Sequence, residues 1–370
     1  MDRPLTPENS ITPADSQLTA VEIFAGGGGL AVGLERAGFK AVAAIEMEKH
    51  AAATFKANHP NVEVFQKDVR EISGASLLEL GGGSIDVLAA CPPCQGFSSL
   101  TSKYQRDDPR NLLVSEVARL TEEIEPTAVM IENVPGLANK GRPLFDDLVE
   151  RLCKLGYICN WGILQVADYG VPQTRRRLVL LAGKGFKIEM PDTTHSRTGE
   201  DGKSRWRTVR DAIGHMTEAV QFVKAAENGG ADLYDWHVVR KLTDANRERL
   251  LHARGGASGT ELPEHLRPPC HRGGYKGFSN VYGRMSWDQP SPTITAGCTT
   301  LSKGRFGHPE QLRTISLREA ALLQTFPADY KFETDAFERA CEIVGNALPC
   351  DFAAVVAGQV RDAIHQNSAK

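Results

Sequence analysis

Four consecutive glycines, Gly26 to Gly29, follow directly on an apolar run, Val21-Glu22-Ile23-Phe24-Ala25. Few folds accept that order. The run reads as a strand, and the glycines let the backbone turn sharply and approach a ligand closely. From Leu30 the apolar residues fall at helical spacing (Leu30, Val32, Leu34, Ala37), and Gly38 is placed to end the helix. Strand, glycine turn and helix form the first unit of a nucleotide-binding α/β sheet, with free amides at the helix N-terminus. A glycine turn alone does not choose the ligand, because dinucleotide enzymes and many transferases share it.

The unit is followed by others like it. Lys40 to Ile45 reads as a second strand, and it ends at Glu46, 20 residues after Gly26. An acidic side chain there is placed to accept hydrogen bonds from a ribose diol. A helix from Lys49 to Asn58 stops at His59-Pro60, and a third strand near Val62 to Phe65 leads to Asp68. Asp68 either accepts from an adenine amino group or merely caps a turn. The third glycine of a full dinucleotide fingerprint is missing, its place taken by Ala31. An adenosyl ligand therefore fits better than a nicotinamide dinucleotide.

The fourth strand, Val87 to Ala90, ends in Cys91-Pro92-Pro93-Cys94-Gln95-Gly96. Prolines cannot continue a ladder, so the strand stops abruptly and presents Cys94 at its carboxyl edge, where open α/β sheets bind their ligands. Cys91 and Cys94 could instead be a redox pair, half a zinc site or buried structural thiols. The cysteines at 153, 159, 270, 298, 341 and 350 provide no second Cys-x-x-Cys. A polar loop from 98 to 111 carries Lys103, Arg106 and Arg110, the charge expected of a lid over a polyanion. A helix from Asn111 to Glu125 is stopped by Pro126, and a fifth strand, Ala128 to Ile131, delivers Glu132 to the same edge. In an apolar surround that carboxyl would keep its proton and could donate to a ring nitrogen; the alternative is a cap on the next turn. A helix from Leu144 to Leu155 precedes two strands, Cys159 to Val166 and Leu178 to Ala182. Strand alternation before the latter puts Arg175 and Arg177 on one face and Arg176 on the other.

Together these stretches resemble the C5-cytosine DNA methyltransferases. Phe24-Ala-Gly-Gly-Gly-Gly is similar to that family's cofactor loop, Pro92-Pro93-Cys94-Gln95 to its nucleophile motif, and Glu132-Asn133-Val134 and Gln173-x-Arg175-x-Arg177 to two further blocks. Arg318 to Pro327 and Gly345-Asn346-Ala347 resemble its last two. Glu22 and Met47 depart from it, where Asp and Trp are commoner. The resemblance implies an α/β fold of the class I S-adenosylmethionine-dependent type (Rossmann-like, mostly parallel sheet) with a smaller target recognition domain. It implies a catalytic set of Cys94, Glu132, Arg175 and Arg177. For S-adenosyl-L-methionine, and its product S-adenosyl-L-homocysteine, it implies Phe24, Gly26, Gly28, Gly29, Glu46, Met47, Asp68, Val69, Pro92, Asn346 and Ala347. Double-stranded DNA would meet Ser98, Lys103, Arg106, Arg110, Arg272, Tyr275 and Lys276, and no metal is called for. Rivals are a tRNA cytosine methyltransferase, a catalytically dead relative and a Rossmann oxidoreductase.

The 370 residues are 41% hydrophobic with a net charge of −3, which argues against wholesale electrostatic capture of nucleic acid but allows a local basic face. Residues 184–280 hold 16 Lys and Arg against 13 Asp and Glu, and the βα alternation lapses there. Basic and aromatic clusters at Arg205-Trp206-Arg207 and His271 to Lys276 are of the kind that touches phosphates and bases. Residues 285 to 300 read as β structure, and the pattern is helical over 317 to 326 and 352 to 364. The expected division is a disordered tail over 1–19, a catalytic domain over 20–183 plus 340–370, and a recognition domain over 184–339. No apolar run suggests a membrane span, and scattered cysteines fit a reducing cytoplasm. The expectation is a cytoplasmic, nucleoid-associated monomer, with a restriction endonuclease for the same site as a candidate partner.

Overall fold

The computed structural model of the chain describes residues 17–93, 112–273 and 279–369. Seven strands form one sheet: β1 (Thr19–Ile23), β2 (Lys40–Ile45), β3 (Glu63–Phe65), β4 (Val87–Ala90), β5 (Ala128–Asn133), β6 (Tyr157–Gln165) and β7 (Arg176–Lys184). Their order is β3-β2-β1-β4-β5-β7-β6. The pairings among β1 to β5 are parallel, while β7 runs antiparallel to both β5 and β6. The order reverses between β1 and β4, which opens a crevice at the carboxyl ends of those strands. Because β7 runs the other way, its beginning lies where β5 ends. The arginine run before it is thereby delivered to the crevice.

β1 begins and ends two residues earlier than its apolar run predicts. Asp86 accepts from the Thr19 amide at 2.7 Å and from its hydroxyl at 3.0 Å, which ties the start of the strand to the start of β4. Phe24, at φ 58°, ends it. Thr19 therefore belongs to the sheet and not to a disordered tail; residues 1–16 lie outside the described ones.

The helices are α1 (Gly29–Arg36), α2 (Lys49–Asn58), α3 (Gly74–Leu80), α4 (Val114–Ile124), α5 (Arg142–Lys154), α6 (Val209–Ile213), α7 (Phe222–Glu227), α8 (Asp244–His252), α9 (Leu317–Leu323), α10 (Phe337–Asn346) and α11 (Cys350–Ser368). Strand alternation splits the sheet's apolar residues between two faces. Leu88, Ala90, Val129, Ile131 and Leu180 pack against α3, α4 and α5. Ala20, Val87, Ala89, Met130 and Leu181 pack against α1 and α11. The two helices cross where Gly33 meets Ala353: a Cβ on Gly33 would lie 2.4 Å from that of Ala353. Residues 337–368 are apolar enough in composition to span a membrane, with a mean hydropathy of 1.4. They are two helices parted at Leu348-Pro349, and their apolar sides are buried in the protein.

A second core joins α6, α7 and the 231–238 segment to α9 and α10, and it reaches Val32 and Ala51 of the first lobe. Within it the buried Glu319 accepts from both Arg313 Nη1 (2.7 Å) and Nη2 (2.8 Å) and closes a capping box with Ser316. The expected division at residue 340 falls inside α10, which packs in this second core. Residues 285–300 form no strand: they make one isolated bridge, from Ser291 to Gln173. Pro290 and Pro292 withhold the amides that a ladder would need.

Candidate active site

The turn after β1 separates the roles of its four glycines. Gly26, at φ 55°, has open space where a Cβ would stand. A Cβ on Gly27 would lie 2.3 Å from Ile343 Cγ2, one on Gly28 2.4 Å from Tyr330 Oη, and one on Gly29 2.8 Å from the Leu348 carbonyl. So Gly27, Gly28 and Gly29 admit the protein's own residues 330–348, and Gly26 alone opens outward. This differs from the simple expectation that all the glycines admit a ligand.

Glu46, one residue past the end of β2, accepts from the Gly26 amide and from the Glu48 amide, both at 2.7 Å. Burial raises its carboxyl above the usual range, against the pull of those amides. Met47 beside it is exposed. Asp68 caps the turn at Val69–Glu71, where Val69 is buried, and takes Arg70 Nη2 at 2.5 Å; that guanidinium holds its carboxyl below the usual range. The capping role is thus real, and a carboxylate has acceptor sites left for an amino group. Asn346 ends α10 exposed, and the Ala347 carbonyl accepts from Gln324 Nε2 at 3.1 Å.

Glu22 on β1 is buried, and its Oε2 has no hydrogen-bond partner. Burial, with Glu46 and Glu35 nearby, pushes this carboxyl well up. A buried, unpartnered carboxyl beside an open glycine turn would ionise against a ligand that brings a positive charge, and S-adenosylmethionine brings two, a sulfonium and an ammonium. The donor and acceptor set fits that cofactor.

At the other half of the crevice, Ala90 pairs with Ile131, so Cys91 and Glu132 each stand one residue beyond the same rung. The Pro92 carbonyl accepts from Asn133 Nδ2 at 2.9 Å, which fixes the exit of β4. Glu132 is 8% exposed and lies 2.5 Å from Arg177 Nε. That pair is a charge contact whose N–H is not aimed at the oxygen, and Glu132 Oε1 is left without a true hydrogen bond. The expected apolar surround of Glu132 is therefore corrected: a buried guanidinium sits against it. Cys91 shares the face of Glu132, and burial, then Glu132 and Glu22, push its thiol well up, so it stays a neutral thiol.

Arg175 and Arg177 have different hydrogen-bond partners. Arg175, 4% exposed, donates from Nη1 to the carbonyls of Ile294 (3.0 Å) and Gly345 (3.3 Å). It precedes β7, so the strand alternation that predicted its direction does not reach it. Gln173, unmarked by sequence beyond its motif, is fully buried: it donates to Gln324 Oε1 at 2.7 Å and accepts from the Ile294 amide at 2.9 Å. Burial lowers both arginines, Arg175 the further.

Cys94, Ser98, Lys103, Arg106, Arg110, Tyr275 and Lys276 lie outside the described residues. Arg272 donates to the carbonyls of Arg267 and His265 at 3.0 Å each. Within the Arg205-Trp206-Arg207 cluster, Trp206 Nε1 donates to Asp168 at 2.8 Å and Arg207 pairs with Asp351 at 3.3 Å. Two of those three side chains fasten the second lobe to the first, which replaces the nucleic-acid reading for them.

A 3-2-1-4-5-7-6 sheet with antiparallel β7, a glycine turn after β1 and an acidic residue ending β2 defines a class I S-adenosylmethionine-dependent methyltransferase. The family model of C-5 cytosine-specific DNA methylases matches residues 18–362, and the chain belongs to that family. As an enzyme it is a DNA (cytosine-5-)-methyltransferase. It is 36% identical over 348 residues to the Type II methylase M.HgiDII of Herpetosiphon aurantiacus, covering 92% of this chain and 94% of that protein. It is 33% identical to the Type II methyltransferase M1.HphI of Haemophilus parahaemolyticus, covering 93% and 86%. Among solved structures, the Schizosaccharomyces pombe Dnmt2 methyltransferase shares the fold, with a TM-score of 0.64 at 17% identity over 95% of this chain and all of that one.

Proposed function

We propose that the enzyme methylates C5 of a cytosine flipped out of a specific site in duplex DNA, through a bond between Cys94 and C6 of the ring. Cytosine C5 is a poor nucleophile. Addition of the Cys94 thiolate at C6 moves electron density to C5, the route by which a covalent step divides one hard reaction into two easier ones. Glu132 stands at the adjoining strand end to hold N3 and the exocyclic amine, and Arg177 holds Glu132 in place. When bound, S-adenosylmethionine supplies an electrophilic methyl group. The open turn at Gly26, the Glu46 carboxylate, and the Phe24 ring would receive it, with Met47, Asp68, Val69, Pro92, Asn346 and Ala347 around it. After C5 has gained the methyl group, its proton passes to a base and Cys94 leaves by elimination.

A base inside a duplex is out of reach, so flipping is required, at about a few kcal/mol. Ser98, Lys103, Arg106, Arg110, Arg272, Tyr275 and Lys276 are proposed to hold the DNA. The Type II relatives support double-stranded DNA as substrate and a restriction endonuclease reading the same site as partner. A cytoplasmic monomer at the nucleoid suits that role.

The observation that carries the reading is the register placing Glu132 beside the end of β4, the strand that precedes Cys94 in sequence. Duplexes carrying 5-fluorocytosine test it, since the fluorine cannot leave as the C5 proton does. A denaturation-resistant complex that forms only with S-adenosylmethionine present and is lost in Cys94→Ser is expected. Methyl transfer to tRNA in preference to duplex DNA would contradict the substrate.

A further inference from the structure

The carbonyl of Gly27 accepts a hydrogen bond, at 2.5 Å, from the hydroxyl of Tyr330, a residue 303 positions away in the segment between α9 and α10. His59, 3% exposed at the end of α2, stands behind that hydroxyl with Nε2 at 3.3 Å. Its Nδ1 lies 2.8 Å from Glu35 Oε1 on α1. The turn rests directly on this pair, because a Cβ on Gly28 would meet Tyr330 Oη at 2.4 Å and His59 Nε2 at 2.8 Å. Phe326 and Phe332 flank the phenol ring at 4.7 and 5.9 Å. A phenol has one proton to give. With it committed to Gly27, the Tyr330 oxygen is left as an acceptor, and His59 Nε2 is the ring nitrogen facing it while Nδ1 faces Glu35. Burial, with Cys350, Glu22 and Glu35 around it, pushes the phenol well up, so its proton stays on.

The same turn is gripped from its other flank by Glu46 on the Gly26 amide. Of the two grips, the one from Glu46 uses a side chain that a bound ribose would also use. The grip from Tyr330 uses a hydroxyl buried on the opposite side of the turn, against His59. We propose that Tyr330 is a positioning residue for the cofactor: oriented by His59 and Glu35, its hydroxyl holds the Gly26–Gly28 turn in the shape that receives S-adenosylmethionine. This rests on the proposed reading of that turn as the cofactor site.

Calorimetric titration of the full-length chain with S-adenosylmethionine and S-adenosylhomocysteine tests it, alongside initial rates on duplex DNA. Tyr330→Phe keeps the packed ring and removes only the hydroxyl. It is expected to weaken both ligands about five- to tenfold, the range of one buried carbonyl losing its donor. KM for S-adenosylmethionine should rise by the same factor, with kcat at saturation and KM for DNA unchanged. His59→Gln keeps an N–H near the Nε2 position and should stay within about twofold of wild type, whereas His59→Leu, which leaves the hydroxyl undirected, should follow Tyr330→Phe. Wild-type affinity in Tyr330→Phe would overturn the proposal, as would a fall in kcat without a change in KM, or equal losses in His59→Gln and His59→Leu. A wild-type chain that binds no S-adenosylmethionine would overturn the reading of the turn as a cofactor site, and the positioning role with it.

Discussion

Glu132, Cys91 and Glu22 share one face of the sheet, and each is set by neighbours that only the folded register assembles. In the proposed reaction Glu132 acts on the ring and Arg177 holds it. Glu132→Gln is therefore expected to lower kcat by about 10²–10⁴-fold, the usual worth of a positioned acid or base, with the fold intact by circular dichroism. Cys91 is a neutral thiol beside Glu132, so Cys91→Ser should keep methyl transfer within about threefold of wild type, since only a neutral weak donor is exchanged for another. Abolished transfer in that variant would return Cys91 to the chemistry. Glu22 yields a pH effect whose sign can be worked out. Its carboxyl is raised in the fold above the ordinary value of 4.5, so the folded chain holds that proton more tightly than the unfolded one. Stability is then lost as pH climbs from 4.5 toward the raised value, and Glu46 adds in the same direction. Glu22→Gln should flatten that decline, read as urea midpoints at mildly acid and mildly alkaline pH. An unchanged pH profile would contradict the account of the buried carboxyl.

At the scale of elements, the strands of the first lobe were legible because each is a short apolar run, although β1 stops at Phe24, inside its predicted run, and β5 continues to Asn133. Phe24, Pro92 and Asn133 follow or close β1, β4 and β5, and the chemistry sits at those ends. What could not be read was which partner each glycine admits, because Ile343, Tyr330, Leu348 and Ala353 approach from far along the chain. Two substitutions separate the reasons. Gly26→Ala has space for its methyl but must hold a left-handed backbone, at a cost of about 1–2 kcal/mol. Gly33→Val has an ordinary helical backbone but drives α1 off α11, at about 1–3 kcal/mol. Urea unfolding measures both, and a neutral Gly33→Val would show that the α1/α11 crossing is looser than described. The β structure expected over 285–300 failed for a local reason, the prolines at 290 and 292.

At the scale of the molecule, the two cores are joined at a few buried polar groups. Gln173 meets Gln324, Gln324 reaches the carbonyls of Val344 and Ala347, and Arg175 spans Ile294 and Gly345. The residues that close the crevice are thus anchored by the segment that ends the second core. Gln173→Ala and Gln324→Ala should be non-additive by about 0.5–3 kcal/mol in a double-mutant cycle of unfolding, as for residues in one network. Additive losses would mean that the cores are not joined there. The second lobe was the least legible part, since its helices are short, its ladders span two residues each, and its fasteners, Trp206 and Arg207, look like surface groups until Asp168 and Asp351 are seen opposite them. The central claim, that this edge methylates cytosine at C5 through Cys94, is tested most directly by bisulfite sequencing of genomic DNA from cells lacking their own cytosine-5 methylation and expressing the chain. The account predicts protected cytosines in one recurring sequence with the wild-type chain and none with Cys94→Ser. Full conversion with the wild type, or protection that survives Cys94→Ser, would contradict it.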